Sequence, residues 1–321
     1  MTSADVTQDL LKSVSRTFYL SVRILPPELR ETMGVAYLLA RLSDTIADSE
    51  TAPIATRLRR LTDFGAMVQA GTNAKTVANI QQDIQPAHAG ERALMAALPQ
   101  VLERLGAFKP WEWKETQELL ANIIRGQSGD LQTFIEPERV TALPDADALE
   151  DYIYLVAGCV GEWWTRMSFH HYPKYAGKPE EEMLPLASSF GKALQLVNIL
   201  RDMPADLRAG RCYLPADELL DAGVDAASLR EEPAAAQPVF DRWLARARTC
   251  LDQGGDYIAS IQPWRIRIAC YLPWRLAGQT LDLMAVTSPL RTREKVKVRR
   301  GDVYRAMFRS LSVAVSNLHL R

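Results

Sequence analysis

The chain has 321 residues, 47% of them hydrophobic, with 38 basic and 39 acidic side chains for a net charge of −1. A large core is possible, and no overall field draws the protein to nucleic acid or to an anionic membrane. Cys159, Cys212, Cys250 and Cys270 have neither CxxC nor His/Cys metal spacing, which leaves them as buried or free thiols in a reducing compartment. The N-terminal MTSADVTQDLLKS lacks the apolar stretch of a secretory signal, and no run approaches the roughly 18 to 20 apolar residues that span a bilayer. A cytoplasmic protein is expected.

In chain order the apolar spacing predicts helix after helix. Leu10, Leu11 and Val14 form one amphipathic face, and Val35, Leu38, Leu39, Leu42 and Ile46 form a second, with Pro26-Pro27 marking the boundary. Further helices are predicted over 56–70, 90–105, 115–133, 147–169, 184–202, 217–222, 238–261, 266–286 and 301–318. Loops fall near 85–86, 136–144, 171–178 and 231–238. Sustained period-2 alternation is missing, so no sheet is expected, and no GxGxxG marks a dinucleotide site. Length alone would allow two domains. None of the loops reads as a linker, so one all-α domain over 1–321 is expected, with its core over about 10–310.

Two stretches carry the chemistry. In QLVNILRDMPAD, Gln195 to Asp206, a helix would put Asn198, Asp202 and Asp206 on one ridge, because residues four apart lie one turn above another. Such a ridge suits Mg²⁺, a hard cation held by one or two carboxylates and the oxygens of a substrate phosphate. Arg201 beside it is able to grip phosphate through its fork of donors. Alone, this spacing reads better as a solvated helix face. The segment RLSDTIAD changes that, since Asp44 and Asp48 repeat the spacing and Arg41 lies one turn ahead.

Small residues interrupt two other helices. Gly126, Ser128 and Gly129 sit in the helix at 115–133, where a glycine costs about 1 kcal/mol. Either a close helix contact or room for a long hydrocarbon would explain them. Val156, Ala157, Gly158 and Gly161 follow Tyr152 in the same way. The basic stretch RTREKVKVRRGD reads on its own as a solvated surface.

SDTIAD and NILRDMPAD, with SRTF near the start and YLVAGCVGE between them, together resemble the squalene and phytoene synthase family of head-to-head prenyl transferases, from about Ser13 to about Arg300. The resemblance implies a helical bundle of the isoprenoid synthase type with a central active-site cavity. It implies Mg²⁺ on Asp44, Asp48, Asn198, Asp202 and Asp206, with Arg41 and Arg201 assisting. Arg16 and Phe18 of SRTF are expected at the substrate, Arg16 on a diphosphate, and Gln195, Val156 and Gly161 line the same site. Tyr152 matches the family's active-site tyrosine, whose ring stabilises a carbocation. Arg211 and Tyr213 match a loop closing behind the metals. Lys295 and Lys297 match basic residues that reach a diphosphate or the phosphate of NADPH. Pro273, in ACYLPWRLAGQTL, looks more like squalene synthases than phytoene synthases.

The reaction implied is condensation of two farnesyl diphosphates to presqualene diphosphate, followed by NADPH-dependent reduction to squalene. NADPH rests on the resemblance alone. The alternative is a relative that gives presqualene diphosphate, dehydrosqualene or phytoene without NADPH. Non-catalytic assembly factors also occur in the family, typically with eroded aspartates, whereas all four stand here. Eukaryotic squalene synthases carry a C-terminal anchor and this chain ends at SNLHLR, so a soluble or peripheral enzyme is expected. An insoluble product would make membrane contact useful for its release, and the oligomeric state is not legible.

Overall fold

In this computed structural model the described residues are 3–296, with the side chains of 3–6 and 16–18 outside the description. Lys297 and the helix predicted over 301–318 therefore lie outside the described residues, as do the side chains of Arg16 and Phe18. The chain forms two compact units. One comprises the described residues up to Gln132 together with His170–Pro173, and the other comprises Thr133–Phe169 and those from Lys174 onward.

The first unit is built from α1 (Ser3–Val14), α2 (Arg16–Ile24), α3 (Pro27–Ala47), α4 (Ile54–Ala70), α5 (Ala74–Asp83), α6 (Ala89–Ala96), α7 (Leu98–Gly106) and most of α8 (Pro110–Thr133). Pro27 sits in the first turn of α3, where its missing N–H has no partner to lose. Leu38, Leu39, Leu42 and Ile46 are fully buried against Phe64, Leu98 and Leu120. That burial fixes which face of α3 is left for polar residues. The predicted helix over 90–105 is divided at Ala97, because Pro99 sits in the first turn of a new helix and cannot continue an old one. Helix α5 has only Val77 and Ile80 buried, too little for a periodic signal, and Asn73 starts it by accepting a 3.0 Å hydrogen bond from the Thr76 N–H.

The second unit contains α9 (Ala146–Ile153), a π-helical turn (Tyr154–Gly158), most of α10 (Cys159–His171), α11 (Glu180–Arg208), α12 (Ala216–Asp221), α13 (Gln237–Ser260), α14 (Trp264–Val286) and α15 (Pro289–Thr292). Helix α11 runs past its predicted end at 202 and through Pro204 to Arg208, although an interior proline forfeits a hydrogen bond at a cost of about 3 kcal/mol. Burial of Leu200, Met203, Pro204 and Leu207 on one side holds it together. Gly210, at φ +79, then turns the chain sharply. The absence of sheet is corrected in one place. Short strands β1 (Thr141–Leu143) and β2 (Arg211–Pro215) pair in parallel inside stretches read as loops, too short for alternation to show.

Helices α10 and α11 cross closely at glycine. A Cβ on Gly161 would fall 2.1 Å from the Ala187 carbonyl oxygen, and one on Gly191 2.1 Å from that of Ala157. The smallness of Gly161 thus serves backbone approach, the first of the two explanations open for small residues in these helices. At Gly129 of α8, by contrast, no described atom lies within 4 Å of a Cβ, which suits the reading of spare room. All four cysteines are buried free thiols. Among the described residues, no helix is long and apolar enough to cross a membrane.

Candidate active site

On α3 the polar stripe left by the buried leucines is Tyr37, Arg41, Asp44 and Asp48. Asp48 caps the helix, its N–H donating to the Asp44 carbonyl at 2.8 Å, while the Arg57 guanidinium donates to the Ala47 carbonyl at 2.8 Å. The C-terminal end of the motif is therefore tied by hydrogen bonds. Arg41 lies 3.8 Å from the Asp44 carboxylate but donates at 2.5 Å to Glu91 of α6. Glu91 is brought there by tight packing of α6 on α1, where a Cβ on Gly90 would stand 2.4 Å from the Ser13 carbonyl oxygen. The Gln127 amide donates to the other Asp44 oxygen at 2.5 Å.

These partners do not neutralise Asp44. Desolvation by the surrounding protein, then the Asp48 carboxylate beside it, raise its pKa to about 7 against the opposing pull of Arg41 and Gln127. The side chain is still 45% exposed, so crowding by protein coexists with an open approach for an ion.

On α11 the matching stripe is Gln195, Asn198, Asp202 and Asp206, between the buried Leu196, Val197, Ile199, Leu200 and Met203. The Arg201 guanidinium reaches both Asp202 oxygens, at 2.9 and 2.8 Å, and the Lys295 ammonium meets Oδ1 at 2.7 Å. Burial works against the charge here too, yet the hydrogen bonds of Arg201 and Lys295 leave the Asp202 carboxyl below its ordinary value. Asp206 has Arg211 at 3.7 Å.

Strand β2 joins this motif to an aromatic group. Residues two apart share a strand face, so Arg211 and Tyr213 point the same way while Cys212 turns into the core, where burial pushes its thiol up to about 12. Tyr213 stacks on Tyr152 of α9 with centroids 5.0 Å apart and 21° between planes, and Phe134 meets Tyr213 edge-on at 5.2 Å. Tyr154 has other partners: its hydroxyl donates to Glu162 at 3.3 Å, and the Lys192 ammonium lies 5.8 Å over its ring. Tyr152 lies in the last turn of α9 and Tyr154 opens the π-helical turn; such turns occur frequently at functional sites.

The structure thus groups Arg41, Asp44 and Asp48 on one helix, Asn198, Arg201, Asp202 and Asp206 on another with Lys295 and Arg211 against them, and Tyr152 with Tyr213. Val156 is half-buried in the π-helical turn, and Pro273 lies within α14, which continues through it. Among the described residues no three His, Cys, Asp or Glu side chains converge as a metal cluster, so each helix by itself offers a pair. The donor set fits magnesium, being carboxylate and amide oxygen throughout. Two residues escaped the sequence reading. Glu91 had no local signal. Gln127 had one, a polar residue in the buried stripe Leu120, Ile123, Gln127 and Leu131 of α8. His171 pairs with the buried Glu112 at 2.8 Å.

Compared with known proteins, residues 11–302 match a family model described as squalene/phytoene synthase. The chain is 31% identical over 240 residues to a presqualene diphosphate synthase of Zymomonas mobilis subsp. mobilis, covering 75% of this chain and 69% of that one. It is 29% identical over 294 residues to a presqualene diphosphate synthase of Sinorhizobium fredii, covering 89% of each. A solved complex of TcSQS with the ligand BPH1237 matches with a TM-score of 0.78 at 21% identity, over 96% of this chain and 86% of that one, a likeness of fold.

Proposed function

This chain belongs to the squalene/phytoene synthase family of prenyl transferases, and from that premise we propose that it joins two farnesyl diphosphates head to head and releases presqualene diphosphate. The observation that carries the product is the alignment with a presqualene diphosphate synthase over 89% of both chains. Squalene as the end product, preferred on the sequence, becomes the second reading. It is favoured by the proline-centred segment of α14.

In this reading Asp44 and Asp48 on one ridge, and Asn198, Asp202 and Asp206 on the other, would hold Mg²⁺ at a substrate diphosphate. Bound there, the metal stabilises charge gathering on the leaving group. Arg41 and Arg201 donate to the diphosphate oxygens, a stabilisation that grows as the C–O bond breaks. The allylic cation left behind is met by the double bond of the second farnesyl chain. A new C–C bond forms, a proton is lost as the cyclopropane closes, and one diphosphate remains on the product. Tyr152, backed by Tyr213, offers its ring face to the cation, worth up to ~2 kcal/mol when desolvated. Its hydroxyl helps carry the departing proton. Such a cation requires surroundings that exclude water, which would trap it as an alcohol. Gln195, Val156, Pro273, Arg16 and Phe18 remain proposed substrate contacts.

Counting released diphosphate separates the two readings. Presqualene diphosphate synthesis frees one inorganic diphosphate for every two farnesyl diphosphates consumed. Carrying on to squalene frees two and oxidises one NADPH. The expected result is the lower ratio, unchanged by NADPH; the higher ratio with NADPH consumption would establish the second reading instead.

A further inference from the structure

Lys295 makes a direct ion pair with Asp202 of the second acidic motif. Asp202 is a heavily engaged carboxylate, with Arg201 across both oxygens and Lys295 on Oδ1 at 2.7 Å. Arg201 is its sequence neighbour on α11. Lys295 comes from beyond α15, and its approach is organised. Two residues earlier Arg293 adopts φ 58, a left-handed conformation unfavourable for a side chain with a Cβ. It is held there by its N–H on the Pro289 carbonyl at 2.8 Å and its guanidinium on the Glu231 carbonyl at 2.5 Å. The Arg208 guanidinium, from the end of α11, reaches the Arg293 carbonyl at 3.5 Å. The segment is thus clasped to α11 and its neighbours just where it delivers an ammonium to the acidic ridge.

An ammonium on Oδ1 and a divalent cation on the same oxygen exclude each other, by space and by like charge. A diphosphate changes the balance, because its oxygens offer the displaced ammonium a new partner beside the metal. We propose that Lys295 is a latch on the second acidic motif, so that Asp202 takes up its divalent cation together with a diphosphate and not before it. Asp44 meets no such competitor among the described residues, since its nearest cation, Arg41, donates to Glu91 and stands 3.8 Å away. Loading is then ordered: Asp44 in the first motif accepts a metal ion alone, and Asp202 in the second accepts one with the substrate's anionic head. This rests on the metal-binding reading above and adds a role for Lys295 toward the metal.

The test is Mn²⁺ binding to the metal-free full-length protein, followed by electron paramagnetic resonance and calorimetry, with and without inorganic pyrophosphate. In the unaltered protein, pyrophosphate should strengthen binding at a site that Asp202→Asn removes. Lys295→Ala should tighten Mn²⁺ at that site in the absence of pyrophosphate by about threefold to tenfold, the range expected for removing a partly exposed competing charge, and should shrink the gain from pyrophosphate by a similar factor. Lys295→Arg should keep the unaltered behaviour. Superimposable Mn²⁺ titrations of Lys295→Ala and the unaltered protein would overturn the latch while leaving the metal site standing. Mn²⁺ binding indifferent to both Asp202→Asn and Asp44→Asn would overturn the metal-binding reading and the latch with it.

Discussion

The two acidic ridges share a spacing and differ in what surrounds their leading aspartates. On α3, Asp44 is held by an amide and crowded by Asp48, and the nearby arginine is turned toward Glu91. On α11, Asp202 is covered by Arg201 and Lys295, and Arg211 stands near Asp206. Asp44 is a carboxyl whose charge its surroundings oppose; Asp202 is a carboxylate held in its charged form by protein cations. Identical spacing therefore does not imply identical affinity. What lies one layer out decides how each carboxylate is used.

The largest effect should come from removing a carboxylate from either ridge. Asp44→Asn and Asp202→Asn should each lower turnover of farnesyl diphosphate by at least about a hundredfold, the scale of losing a principal stabiliser of leaving-group charge, with circular dichroism unchanged. Near-normal turnover in either variant would remove that ridge from the site.

Next comes a split between tyrosines. Tyr152→Phe should slow product formation by about tenfold or more, whereas Tyr154→Phe, which loses only a 3.3 Å bond to Glu162, should change it little. The reverse order, read from steady-state rates, would move the reacting cation from Tyr152 to Tyr154.

The ridges should also oppose each other in acid. With Asp44 raised to about 7 in the folded, metal-free protein, the native state holds a proton that the unfolded chain has released at its ordinary value of 3.8. Asp44 thus lowers stability as pH rises from about 4 to 7, an effect moderated by its exposure. Asp202 is depressed, so its contribution is present above the ordinary carboxylate range and lost as pH falls through it. Thermal melts in chelator should show Asp44→Asn flattening the decline toward neutral pH and Asp202→Asn flattening the decline in acid. Equal slopes in both variants would erase the electrostatic contrast.

A smaller effect is expected at Gln127. Replacing it with Leu removes the 2.5 Å donor to Asp44 and should weaken Mn²⁺ at the first motif by about threefold, with no change at the second. A loss at both motifs would mean that Gln127 supports packing at large.

Much of this was legible in the chain because it repeats a local rule. Aspartates four apart on a helix need only helical periodicity to be paired, and the buried leucines of α3 and α11 supply it. Tyr152 and Tyr213 were each found through the family pattern, but their stacking spans 61 positions and depends on a strand too short to alternate visibly. Glu91 reaches Arg41, and Gln127 reaches Asp44, by tertiary packing; nothing local announced Glu91, and the buried stripe of α8 marked Gln127 as unusual without naming its partner. Gly161 was ambiguous for a related reason: small residues in helices mean either space or contact, and the Ala187 carbonyl that a Cβ would meet becomes visible only in three dimensions.

The most direct measurement is incubation of the purified protein with farnesyl diphosphate and Mg²⁺, with and without NADPH, followed by mass spectrometry of the extracted lipids. Presqualene diphosphate as the product in both tubes is the predicted result. Squalene formed only with NADPH would contradict the assigned product, and no product from farnesyl diphosphate in either tube would contradict the account of the two ridges as the site of its ionisation.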